Sequence, residues 1–406
     1  MDVCYGGLGK RYRAFKKRGR KIDLRRGRPC REQLNLSNGL WARRKYTSRD
    51  GIDCRNYQGG LLSGLPEARE LFSEYLEVSP DEVIVGDNSS TELMHETLLA
   101  AITHGVPDGK GPWDRSKIAI LCPCPGYDRH FARLKYYGIK MIPVAITDEG
   151  PDMGVVETWA RNNTVKGILC VPRYSNPTGI TYSDAVVQRL ANMRAAAPDF
   201  RIFWDNAYAV HHLEDDHEHL ANILEACKRA SNPNRVLLFG STSKITFAGA
   251  GIAAVAGSKE NIEWFKKDSA IRKIGPNLPN QLWHVRFLRD MDGIRALMRR
   301  HAAILRPKRD ALLGVLEREL RDKGIVAWTH PKGGAFIYIH TKYGRAKETV
   351  RLARDAGLAL MDAGSCFPYG VDSSNSGFRI PFLFPTVEAI EYAAELLTVC
   401  IQLASR

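Results

Sequence analysis

The sequence predicts an α/β protein: a large domain with a mostly parallel central sheet flanked by helices, plus a smaller α+β domain from the N- and C-terminal segments. Three observations carry that expectation. The chain has 406 residues, beyond the size at which one hydrophobic core keeps growing. Between residues 65 and 257, short apolar runs alternate with amphipathic stretches, as crossover units of a parallel sheet require. After about residue 290 that alternation stops. Composition is that of an ordinary globular protein, with 44% hydrophobic and 26% charged residues.

In order, Leu65 to Leu76 has Leu65, Ala68, Leu71, Phe72, Tyr75 and Leu76 at helical spacing. Val83-Ile84-Val85 reads as a strand and 89–102 as the helix after it. Further strand-like runs fall at 118–121, 141–144, 167–171, 201–204, 235–239 and 252–256, with helical stretches near 128–136, 184–196 and 218–230. A long amphipathic segment, 294–320, then leads into 326–328, 335–339 and a closing helix from Val387 to Leu403. The expected division is a basic N-terminal arm (1–31), a small domain (32–58 and 300–406) and a large domain (59–299).

Charge is concentrated at one end. Residues 1–31 hold twelve Lys or Arg against Asp2 and Asp23, a balance of +10 out of +14 for the chain. Such an arm reads first as a solvated or neighbour-embracing segment, and second as an electrostatic funnel for an anionic substrate. Nucleic acid is not an expected partner, because aromatic interleaving and any recognisable binding module are missing. Nor is a membrane: the nearest apolar candidate, 252–257, is far too short to span one. No secretion signal is seen. The nine cysteines show no CxxC pair, which suits reduced thiols and a cytoplasmic location. Cys122-Pro123-Cys124 reads as small residues around a turn in preference to a metal or redox pair.

Two segments carry the chemistry. Arg201-Ile202-Phe203-Trp204 leads into Asp205-Asn206-Ala207-Tyr208, and Arg235-Val236-Leu237-Leu238-Phe239 leads towards Ser241-Thr242-Ser243-Lys244. A lysine, an acid and a tyrosine at neighbouring strand ends are what pyridoxal 5'-phosphate needs. The Lys244 amine can form a Schiff base with the aldehyde. The Asp205 carboxylate can pair with the ring nitrogen and keep the ring an electron sink, while the Tyr208 hydroxyl can donate to the phenolate oxygen. Gly86-Asp87-Asn88-Ser89-Ser90, between a strand and a helix, offers hydroxyls and free amides to a phosphate. Ser175-Asn176-Pro177-Thr178-Gly179 reads either as a turn or as the loop that brings the Asn176 amide to the phenolate oxygen. In Phe378-Arg379-Ile380-Pro381 an arginine sits inside an apolar run. A buried guanidinium needs an anion, and a substrate carboxylate held bidentately fits.

These residues together resemble the fold-type I pyridoxal phosphate enzymes, in the bacterial aspartate aminotransferase-like subfamily that carries SNPTG, DNAYAVHHL and STSKITFAGAG. The likeness runs from Tyr12 to the C-terminus and includes 22–29, 123–131 and Asn280-Gln281-Leu282. It implies that Lys244 holds the cofactor and shuttles the proton of the substrate α-carbon. Asp205 would partner the ring nitrogen, Tyr208 and Asn176 the phenolate oxygen, and Tyr127 would stack on the ring. Ser89, Ser90 and Ser241 would bind the phosphate, joined by Tyr57 of a second subunit in a homodimer. Arg379 would clamp the α-carboxylate of a small amino-acid substrate.

Departures from the pattern bear on the reaction. The arginine that the wider fold type often places eight residues after the lysine is Ile252 here. Leu278 stands where a lysine is expected, Ala335 replaces a tyrosine, and Ile380-Pro381 is followed by Phe382-Leu383-Phe384. Losing a cation and a tyrosine would alter recognition of a side-chain carboxylate, or leave room for a bulkier substrate. The leading expectation is a transaminase acting through a Lys-bound aldimine and an α-carbanion. The alternative diverts that carbanion to β/γ-elimination or replacement, or to carbon–carbon bond formation in natural-product biosynthesis, with a nucleotide-like substrate such as S-adenosylmethionine.

Overall fold

The computed structural model describes residues 2–42, 45–56 and 60–406. Its strands are β1 (Ile22–Asp23), β2 (Val83–Val85), β3 (Ala119–Cys124), β4 (Lys140–Thr147), β5 (Gly150–Pro151), β6 (Val165–Cys170), β7 (Arg201–Asp205), β8 (Val236–Ser241), β9 (Ala253–Gly257), β10 (Val326–Trp328), β11 (Phe336–Thr341), β12 (Leu358–Ala359) and β13 (Gly377–Pro381). Eight of them form one sheet in the order β2-β9-β8-β7-β6-β3-β4-β5. Strands β3, β4, β6, β7 and β8 run parallel. Strand β9 runs against both β8 and β2, so β2 points the same way as β8. Every residue of β7 and β8 is buried, which is why both read as unbroken apolar runs: helices cover the two faces of a parallel sheet.

The strand order positions the site. The loops after β2, β3, β6, β7 and β8 all leave from the carboxyl ends of like-directed strands, the edge at which open α/β sheets bind ligands. Those loops hold Ser89, Tyr127, Asn176, Tyr208 and Lys244 respectively.

The second unit packs the antiparallel sheet β10-β11-β13 against the helices Met291–Leu320, Ala346–Asp355 and Val387–Ala404. The basic N-terminal segment belongs to it. Residues Asp2–Arg18 form a helix, whose Phe15 meets Tyr392 edge-on at 5.1 Å and whose Tyr12 hydroxyl donates to the Leu352 carbonyl at 2.8 Å. Strand β1 then pairs with β12. An apolar stripe of Leu8, Tyr12 and Phe15 on this core is what the charge count alone conceals.

Other differences have local causes. The helix expected over 184–196 stops at Asn192, because the Ala196 amide bonds instead to the Ala160 carbonyl at 2.8 Å. The one expected from 218 starts at Ile223, capped by the Asn222 side chain, which accepts from the Glu225 amide at 3.0 Å. Cys122 and Cys124 lie inside β3 and not at a turn, and burial pushes both thiols up, Cys124 to about 11.

Candidate active site

The floor of the site is Asp205, the last residue of β7. Strand alternation puts it on the face opposite Trp204, toward the helix Asp128–Tyr136. There His130 Nε2 lies 3.0 Å from Asp205 Oδ2, and both residues are only 2% exposed. Asp205 Oδ1 is buried with no partner. A carboxylate oxygen withdrawn from water and left unpaired is costly, so this position calls for a donor. The protonated nitrogen of a pyridine ring is such a donor, and on this test the residues fit pyridoxal phosphate.

Lys244 follows β8 in a tight turn, its Nζ 4.8 Å from the centre of the Tyr208 ring. Its exposed area is intermediate, yet protein surrounds it, and that enclosure pushes its ammonium pKa down while the Asp205 charge pulls it partly back. Desolvation favours the neutral amine, the form that attacks an aldehyde. Tyr208 is 2% exposed, and burial pushes its hydroxyl well above the usual range. It stays protonated and can donate.

Arg379 enters from the second unit. It sits in β13 opposite Tyr338 of β11, 2% exposed, with its guanidinium 4.9 Å from the Phe336 ring. Its Nη1 donates to Asn176 Oδ1 at 2.9 Å, which leaves the Asn176 amide nitrogen as that side chain's donor. Its Nη2 pairs with Asp128 Oδ1 at 2.9 Å, and its Nε has no hydrogen-bond partner. Asp128 Oδ2 in turn reaches Arg26 Nη1 at 3.4 Å.

The candidate phosphate end is the turn where β2 meets the helix Ser90–His104. Ser89 caps that helix and Ser90 begins it, beside amides that have no partner within the helix. Ser241 Oγ lies 2.7 Å from Ser243 Oγ, and Ser243 Oγ donates to the Asn88 carbonyl at 3.0 Å. That contact ties the turn after β2 to the turn after β8, while Ser89 Oγ lies 2.7 Å from Thr91 Oγ1. Asn88 Oδ1 meanwhile accepts from the Gly251 amide at 2.9 Å. Ile252 is a core residue, 1% exposed.

One crevice of about 120 Å³ is lined by Tyr127, Asn176, Asp205, Tyr208, Lys244 and Arg379. The structure thus gathers these six expected residues, with Ser89, Ser90 and Ser241 at the turns beside them. Tyr57 lies outside the described residues. A larger cavity of about 630 Å³ touches Trp204 and Leu238 on the other face of β7 and β8. It contains neither Lys244 nor Arg379, so chemistry and not size locates the site. The sequence reading missed His130, Asp128 and Ser243 as participants, although all three stand in segments it singled out. It also missed Arg26 and Arg28 as lining residues of the crevice, although both stand in the segment 22–29 that carries the likeness. Of the departures, Leu278 is buried in the large-unit core, and Ala335 is buried beside Gly27.

A lysine above an acid-floored crevice, at the carboxyl edge of this sheet, defines a fold-type I pyridoxal phosphate enzyme. The model of the aspartate amino-transferase family matches residues 4–406. An aspartate aminotransferase of Corynebacterium glutamicum is 41% identical over 409 residues, covering 100% of this chain and 94% of that protein. A relative from Mycolicibacterium smegmatis is 45% identical over 392 residues, 95% of this chain and 91% of its own. The crystal structure of an aspartate transaminase from C. glutamicum superposes with a TM-score of 0.96 at 40% identity, over 99% of this chain and 96% of that one. The chain belongs to the aspartate aminotransferase family, which uses pyridoxal phosphate, and it is a transaminase.

Proposed function

We propose that this protein transfers the amino group of a dicarboxylic amino acid, aspartate first among them, to a 2-oxo acid. The observation that carries the reading is the unpaired Asp205 Oδ1 in the same crevice as Lys244 and Arg379. The 41% identity to a protein named for aspartate supports the donor.

When bound, pyridoxal phosphate supplies an aldehyde for an amine to capture and a ring that takes up the electron pair released at the substrate α-carbon. The chain's residues divide the remaining work. Lys244 Nζ holds the cofactor and then moves the proton at the α-carbon. Asp205 Oδ1 would accept the ring N–H, and His130 fixes the carboxylate in that orientation. The Tyr208 hydroxyl and the Asn176 amide would donate to the phenolate oxygen, and Tyr127 would cover a ring face. The hydroxyls of Ser89, Ser90 and Ser241, with the amides of the helix start, take the phosphate. Arg379 takes the α-carboxylate through Nε and Nη2, the second drawn from Asp128.

The reading extends to a homodimer in the cytoplasm, with Tyr57 of one protomer completing its partner's phosphate site. Exposed apolar side chains support it: Ile271 and Ile274 are 89% and 61% exposed, and Trp41 is 44% exposed. The test is a single-turnover reaction of purified holoenzyme with aspartate. One keto acid should leave per site without added acceptor, and a 2-oxo acid should then recover the amino group. An eliminated group or a new carbon–carbon bond in the product would overturn the proposal in favour of the diverted carbanion.

A further inference from the structure

The crevice is more cationic than its cofactor chemistry requires. Arg26 and Arg28 line it together with Arg379 and Lys244, against the carboxylates of Asp205 and Asp128. Asp205 serves the ring, and Asp128 is shared between Arg379 and Arg26. Arg28 forms no ion pair with any carboxylate among the described residues. Its guanidinium instead lies 3.7 Å from the centre of the Phe384 ring.

That stacking holds the plane of the guanidinium while leaving its N–H edge free, the geometry that receives a carboxylate bidentately. Its backbone is fixed on both sides. Upstream, the Leu24 amide donates to the Ala359 carbonyl at 2.8 Å and Leu24 is buried. Downstream, the Cys30 amide donates to Gln33 Oε1 at 3.1 Å. Between them Gly27 passes so close to Phe336 that a Cβ would fall 2.7 Å from its Cζ. The chain crosses directly over the crevice with one arginine on either side of that glycine.

We infer that Arg28 is the specificity residue for the second carboxylate of the substrate, with Phe384 as its positioning residue. Arg379 takes the near carboxylate and Arg28 the far one. Arg26, already engaged by Asp128, holds the cleft. The inference rests on the transaminase reading above and names the group that selects its acidic donor.

The experiment compares wild-type holoenzyme with Arg28→Gln and Arg28→Lys, using aspartate and alanine as donors. Succinate and butyrate serve as unreactive inhibitors with two carboxylates and one. Cofactor absorbance and melting temperature confirm that each variant is loaded and folded. Arg28→Gln should raise KM for aspartate and Ki for succinate at least tenfold, while alanine and butyrate constants move less than twofold. Arg28→Lys should recover part of the loss, and Phe384→Ala should fall between wild type and Arg28→Gln. An unchanged aspartate KM in Arg28→Gln, or equal losses for aspartate and alanine, would overturn the assignment to Arg28 alone. A wild-type enzyme without preference for aspartate over alanine would overturn the proposed donor as well.

Discussion

The floor and the rim of this crevice are built differently. At the floor, Asp205 and His130 are each 2% exposed, rooted in a fully buried strand and a helix packed against it. At the rim, Arg26 and Arg28 are exposed and Phe384 is 42% exposed. A charge in the interior acts through a low effective dielectric, whereas solvent and salt screen one at the surface. The floor therefore makes few contacts of large effect, suited to chemistry that every substrate shares. The rim makes weaker contacts that can change from one enzyme to the next without unseating the cofactor.

The largest effect should come from Lys244→Ala. Removing the amine that we propose moves the proton should lower turnover by about 10²–10⁴-fold, with the far-ultraviolet circular dichroism unchanged. Near-wild-type turnover would remove Lys244 from the reaction. The same amine sets a pH dependence. Its pKa lies below the ordinary 10.5 because burial outweighs the pull of Asp205, and only the neutral form captures an aldehyde. Capture of pyridoxal phosphate by the apoprotein, followed by stopped-flow absorbance, should rise with pH and level off below pH 10.5. Asp205→Asn removes the attraction that raises the pKa, so its plateau should begin at lower pH. A rate still climbing above the ordinary lysine value would contradict the burial argument.

Asp205→Asn should also lower kcat roughly a hundredfold, the equivalent of ~3 kcal/mol for a charge-assisted hydrogen bond. His130→Gln, which removes the support of Asp205 and an edge-on contact with Tyr127, should cost about tenfold. If His130→Gln matched Asp205→Asn, the imidazole would be more than a support. The smallest effect on chemistry is expected at the rim. Gly27→Ala forces a methyl group against Phe336 and should destabilise the fold by about 1–3 kcal/mol, read as a lower midpoint in urea. Its kcat should change less than that of either floor variant. A larger kcat loss at Gly27 than at Asp205 would erase the distinction between floor and rim.

Asp205 and Lys244 were legible in the sequence because each stands at or just beyond the end of a buried apolar strand. Arg201-Ile202-Phe203-Trp204 announces Asp205, and 235–239 announces the turn holding Lys244. The alternation of strands and helices likewise gives the parallel sheet. What stayed hidden depends on contacts across the chain. His130 stands 75 positions from Asp205, and Asp128 meets Arg379 from a helix of the other unit. Neither spacing leaves a local signature. The basic segment was legible as charge, but its fold was not, since Phe15 and Tyr12 count as an apolar stripe only once Tyr392 is opposite them. Leu278 looked like a lost substrate contact and is a core residue instead.

Asp128 has one more effect. Because it already occupies Arg379 Nη2, an arriving amino acid finds only Nε free; at Nη2 it exchanges one carboxylate for another. The net gain at that end is a small difference between two similar bonds, so a lone anion gains little by settling there. A ligand with a second point of attachment does not face the same handicap, and the empty enzyme is thereby kept clear of the small ions around it.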